Sequence, residues 1–111
     1  MKGSMEQMKK IDTVQEFEQL SETNPRFFFM KHSLTCPVSS NAFTEYQAFL
    51  NKHEEEDGYY LAVQESRELS QHIAEKYGIR HESPQAFLFI EGKPGWNASH
   101  WKITESELDK L

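Results

Sequence analysis

Cysteine is nearly absent: Cys36 is the only one in 111 residues. A single thiol forms no internal disulfide and supplies no multi-cysteine zinc site, so a reducing cytoplasm is the expected compartment. Excess positive charge is absent too. Twelve Lys and Arg against 18 Asp and Glu leave a formal charge of −6, without the basic footprint that nucleic acid or an anionic membrane surface requires. No apolar run approaches the ~20 residues that span a bilayer, and no signal-peptide pattern opens the chain. Internal repeats, low-complexity tracts and linkers are also missing, which leaves the length of one domain with its own core. Met1-Lys2-Gly3-Ser4 ahead of Met5 reads as an expression leader and is set aside.

Aromatic residues are present in force, and three of the eight Phe stand together. Arg26 to Lys31 encloses Phe27-Phe28-Phe29-Met30, an unbroken apolar run suited to a central strand covered on both faces. Before it, Thr13-Val14-Gln15-Glu16 is a capping-box pattern that opens a helix to about Glu22. After it, Val38, Ala42, Phe43, Tyr46, Phe49 and Leu50 trace one helical face. The acidic run Glu54 to Asp57 reads as solvated surface, with Gly58 as a left-handed cap. Tyr59 to Gln64 reads as a second strand, Ser66 to Tyr77 as a helix ended by Gly78, and Gln85 to Ile90 as a third strand. Glu91 to Gly95 is a five-residue turn, Trp96 to His100 a fourth strand, and Thr104 caps a last helix. Strands joined by crossover helices are expected to be parallel and the last two antiparallel. The fold class is therefore α/β, a mixed four-stranded sheet with helices on both faces.

Phe27 to Ser39 is the stretch that carries chemistry. The apolar strand ends, a short polar loop follows, and Cys36 stands directly before Pro37. Proline is favoured at the first helical position because it has no N–H to leave unsatisfied, so Cys36 falls at the N-cap. A thiol there faces free N–H groups and the positive end of the helix dipole, which favour a thiolate. The alternative is a small buried hydrophobe, as free cysteine often is.

The element order, Cys36-Pro37 at the first strand-to-helix junction and Ser83-Pro84 before the third strand resemble the thioredoxin/glutaredoxin superfamily. More narrowly, Thr35-Cys36-Pro37-Val38-Ser39 resembles the signature of YtxJ-like monothiol bacilliredoxins, and the likeness runs from about Thr13 through the last helix. The resemblance implies a thioredoxin-like fold, a cis Pro84 beside the nucleophile, and cytosolic removal of bacillithiol, a cysteine–glucosamine–malate thiol, from S-bacillithiolated proteins. It implies no bound cofactor and no metal; bacillithiol enters as a thiol co-substrate.

In a Cys-x-x-Cys oxidoreductase the second cysteine resolves the mixed disulfide, and that position here is Ser39. An internal dithiol cycle is thereby excluded, leaving a monothiol route in which a second thiol clears the adduct on Cys36. A stabilised thiolate gains more as a leaving group in that clearance than in the first attack. Thr35, Pro37, Ser39, Ser83 and Pro84 are the candidate contacts to thiolate or substrate, with plain loop and helix-start roles as alternatives for Thr35 and Ser39. Lys31 and His32 read as a solvated strand end, or as positive charge for the thiolate or the malate carboxylates. Arg80 and His81 read as surface or as groove lining, the other histidines as surface, and Trp96 and Trp101 as core or edge cover. Two other functions compete: a [2Fe–2S] carrier like monothiol glutaredoxins, whose usual motif has Gly where Pro37 stands, and a redox-inert module of the same fold.

Overall fold

The Thr13 capping box closes as its residues require. Thr13 Oγ1 accepts the Glu16 N–H and Glu16 Oε1 accepts the Thr13 N–H, each at 3.1 Å, which starts α1 (Val14–Thr23). The computed structural model describes residues 8–111, so the expected leader lies outside the described residues. Ahead of α1 is β1 (Met8–Lys10); after it come β2 (Arg26–His32), α2 (Pro37–Lys52), β3 (Gly58–Ala62) and α3 (Arg67–Tyr77). The chain continues through β4 (Gln85–Ile90), β5 (Lys93–Ser99), a 3-10 turn (His100–Lys102) and α4 (Glu105–Asp109).

Among the described residues the sheet has five strands in the order β1-β3-β2-β4-β5, one more than the sequence suggested. The extra strand, Met-Lys-Lys, has no period of its own; it exists by pairing parallel with the open edge of β3, Met8 opposite Gly58. A second correction concerns direction. β3 and β4 are joined through α3 yet are not neighbours, and β4 runs antiparallel to β2, Lys31 opposite Gln85 and Arg26 opposite Ile90. β4 therefore starts at the end of the sheet where β2 stops, which brings Ser83-Pro84 to the end that carries Cys36. A parallel β4 would have put them at opposite ends.

Strand alternation divides the core in two. Phe28 and Met30 pack with Ala42, Tyr46, Phe49 and Leu50 of α2 and with Ile103 and Leu108. Phe27 and Phe29 face the other way, with Phe17 of α1, Leu69 and Ile73 of α3, and Phe87 and Phe89 of β4. Phe17 sits edge-on to Phe29 and Phe89 with centroids 5.3 and 5.5 Å away, the arrangement aromatic quadrupoles prefer.

Turns account for the remaining differences. The β4–β5 turn has two residues, not five: Glu91 at φ 52° and Gly92 at φ 77°, the positive pair of a type I′ hairpin. β5 therefore begins at Lys93, and Pro94 is tolerated because the strand is an edge. Gly78 does cap α3 at φ 64°, but Gly58 is no cap. It opens β3, and a Cβ there would lie 2.2 Å from Leu50 Cδ1, so close helix–strand packing is what it serves. Part of the acidic run is tethered as well. Arg26 grips Glu56 through Nε and Nη2 at 3.0 and 2.8 Å, and Asn24 Nδ2 donates to Asp57 at 2.9 Å.

Two glycine substitutions separate these causes. Gly58→Ala is expected to cost about 1–3 kcal/mol through overpacking and Gly78→Ala about 1 kcal/mol through its left-handed backbone. Urea unfolding checks this: in a Leu50→Val background the first loss shrinks and the second does not. At the far end, His53 Nε2 meets Asp109 Oδ1 at 2.9 Å, tying α2 to α4. The hydrogen bond to Asp109 raises the His53 pKa, and the same bond lowers that of Asp109. The His53 contribution is full below its unfolded value of about 6.5 and is lost as pH rises through the raised folded value; the Asp109 contribution is full above about 3.9 and is lost as pH falls through the lowered one. Hydrogen-exchange protection of α4 should accordingly peak near pH 5 and weaken toward pH 8, with a flatter profile in Asp109→Asn.

Candidate functional site

Cys36 occupies the N-cap of α2 at φ −101° and ψ 122°, with Pro37 in the first turn. Its carbonyl accepts the Ser40 N–H at 3.0 Å, which starts the helix, and no side chain caps the turn. The half-buried thiol belongs to the N-cap residue itself and makes no cap hydrogen bond to the first-turn N–H groups. Thr35 and Pro37 on either side are exposed.

The loop ahead of Cys36 is fastened from below and from the side. Ser39 is fully buried; its Oγ accepts the Ser33 N–H at 2.8 Å and lies 2.8 Å from His32 Nδ1. Burial lowers the His32 pKa, which favours the neutral ring, and Nδ1 shares one hydrogen bond with the Ser39 hydroxyl. No Ser39–Cys36 hydrogen bond is found among the described residues. Ser39 is a loop staple by these contacts, the plainer of the two readings its position allowed. His32 is held flat against Phe43, ring centroids 4.2 Å apart at 21°. From the side, Gln64 Oε1 accepts the Leu34 N–H at 3.0 Å, and Nε2 donates to Ser33 Oγ at 3.0 Å and to Thr35 Oγ1 at 3.3 Å. Sequence reasoning missed Gln64, since nothing in a polar residue after a strand signals what it will reach.

Lys31 and His32 part company. Adjacent strand residues point to opposite faces, so His32 lies under the Cys36 loop while Lys31 goes to the α3 side. A solvated strand end is wrong for Lys31, which is fully buried. Its Nζ donates to the Ser70 carbonyl at 2.8 Å and to His81 Nδ1 at 3.2 Å, and burial pushes its pKa down to about 8. Burial first, then the Lys31 charge, lowers the pKa of His81.

The Ser83–Pro84 peptide is cis. Pro84 is buried one residue before Gln85, which pairs with Lys31, and its carbonyl accepts the His100 N–H at 3.0 Å. Ser83 Oγ is buried without a hydrogen-bond partner among the described residues. Trp101 follows His100 and is 66% exposed, so it is not a core residue; Leu34, in the Cys36 loop, is 52% exposed. The described residues contain no group of three or more His, Cys, Asp or Glu that could hold a metal ion, and no helix long and apolar enough to cross a membrane. His72 is bound to Glu18 at 2.8 Å and His53 to Asp109, away from Cys36.

The two fastenings differ in depth, and substitution should show it. Ser39→Ala leaves the half-buried His32 Nδ1 and the Ser33 N–H without their shared partner, and is expected to cost about 1–3 kcal/mol in urea unfolding. Gln64→Ala, at an exposed position, should cost under about 1 kcal/mol while raising hydrogen exchange at Leu34.

Residues 8–108 match the model of a family described as monothiol bacilliredoxin BrxC. A solved structure described as a candidate oxidoreductase with a thioredoxin fold is 43% identical, covers 96% of this chain and 95% of its own, and superposes with a TM-score of 0.91. Mitochondrial thioredoxin 3 from Saccharomyces cerevisiae (16% identity, 97% of this chain and 95% of its own, TM-score 0.75) shares the fold. So does thioredoxin from Plasmodium falciparum (16% identity, 94% and 93%, TM-score 0.74). The protein has the thioredoxin fold and belongs to the monothiol bacilliredoxin BrxC family of thiol–disulfide oxidoreductases.

Proposed function

We propose that the protein removes bacillithiol from mixed disulfides of cytoplasmic proteins, with Cys36 as nucleophile. The Cys36 thiolate attacks the bacillithiol sulfur of a protein–S–S–bacillithiol bond. A Cys36–S–S–bacillithiol bond forms, the protein–sulfur bond breaks, and the protein thiolate leaves. A second low-molecular-weight thiolate then attacks the bacillithiol sulfur of the adduct, releasing Cys36 thiolate and a small disulfide. Electrons balance because one disulfide is exchanged for another at each step.

The observation that carries this reading is Ser39, one turn after Cys36, where a resolving cysteine would stand. Its hydroxyl is bonded inward to His32 and Ser33, so the adduct on Cys36 has to be cleared from outside. In this proposal the helix start at Cys36-Pro37 stabilises the thiolate. Pro84 and Ser83 form the second wall against which the disulfide lies, and Thr35 borders the small thiol. Of the two candidate cations, His32 contributes through Ser39 and the loop, not as a charge.

A bacillithiolated reporter peptide with bacillithiol as the second thiol tests the proposal. The intact protein is expected to release the free peptide with turnover, and Cys36→Ala to fall to the uncatalysed rate, a loss of at least ~100-fold. Equal release by Cys36→Ala would refute the assignment.

A further inference from the structure

Lys31 is the one fully buried cation among the described residues, and no carboxylate pairs with it there. Because His81 Nδ1 accepts from Lys31 Nζ, the His81 proton sits on Nε2, on the far side of the ring from Lys31. His81 lines a cavity of about 340 Å³ whose other walls are Val63, Arg67, Ser70, Gln71 and Ala74. The four from α3 share one helical face by their spacing. No acidic residue lines the cavity, and Arg67 makes no ion pair among the described residues. One wall of the cavity is tied to the strand end that leads into the Cys36 loop, where the Val63 N–H donates to the His32 carbonyl at 2.8 Å.

We infer that this cavity is the subsite for the carboxylate-bearing end of the small thiol whose sulfur reaches Cys36. Arg67 supplies a guanidinium fork matched to a carboxylate, and His81 Nε2–H a further donor. The Lys31 ammonium lies behind His81, 3.2 Å from its Nδ1, where low dielectric strengthens its field, while Val63 and Ala74 give an apolar wall. The pKa of about 8 on Lys31 reflects burial without a compensating anion, which a bound carboxylate would supply. The inference rests on the bacillithiol reading above and assigns the malate end a place on the α3 side of Cys36.

The test compares kcat/KM for one reporter peptide carrying either bacillithiol or its malate-free analogue, cysteinyl-glucosamine. The wild-type protein is expected to prefer the first by about tenfold, and Arg67→Gln to bring the ratio near one. Lys93→Gln, an exposed cation at the opposite end of β4–β5, should leave the ratio unchanged. A ratio unaltered by Arg67→Gln, or lowered equally by Lys93→Gln, overturns the subsite while leaving the function standing. No turnover of either substrate by the wild-type protein overturns the function and the subsite together.

Discussion

The antiparallel pairing of β4 with β2 is the constraint from which the rest of the molecule follows. Its register, Lys31 against Gln85, sets Pro84 and Ser83 beside the end of the strand that leads into Cys36. It also fixes which face each β2 residue serves, because the side-chain period of a strand is two. Phe27, Phe29 and Lys31 go to α1 and α3; Phe28, Met30 and His32 go to α2. A slip of one residue would carry Lys31 beneath the Cys36 loop and leave His32 against α3, exchanging two electrostatic environments at once. Aromatic packing on both faces makes that slip costly, since Phe27, Phe28 and Phe29 are all fully buried.

The two faces then do different work at one end of the sheet. On the α2 side, a neutral His32 and the Ser39 hydroxyl hold the loop so that the half-buried thiol stands at the helix start. On the α3 side, Lys31 places positive charge behind a neutral His81, which with Arg67 lines a cavity that has no carboxylate in its lining. Reactivity and recognition of an anionic thiol are in this account separated by the thickness of a single strand.

The capping box at Thr13, the Cys36-Pro37 helix start, the Gly78 cap and the central Phe run were all legible in the residues, because each is set by local chemistry. What escaped was set by partners distant in sequence. β1 became a strand only through β3, Gly58 is required by Leu50, and Gln64 matters because Leu34 and Thr35 lie across the loop from it. The direction of β4 was misjudged for the same reason: a crossover rule for neighbouring strands was applied to β3 and β4, which are not neighbours. Lys31 carries the clearest lesson. Its charge suggested solvent, while its position in the alternation with Phe27 and Phe29 already required the interior.

The central claim is that Cys36 takes the small thiol from its target and keeps it until another thiol arrives. Intact mass of the protein after one equivalent of bacillithiolated peptide, without any second thiol, tests this most directly. The account predicts a single bacillithiol adduct on Cys36 and a free peptide thiol. A disulfide joining Cys36 to the peptide, or an unmodified Cys36 beside intact substrate, would contradict it.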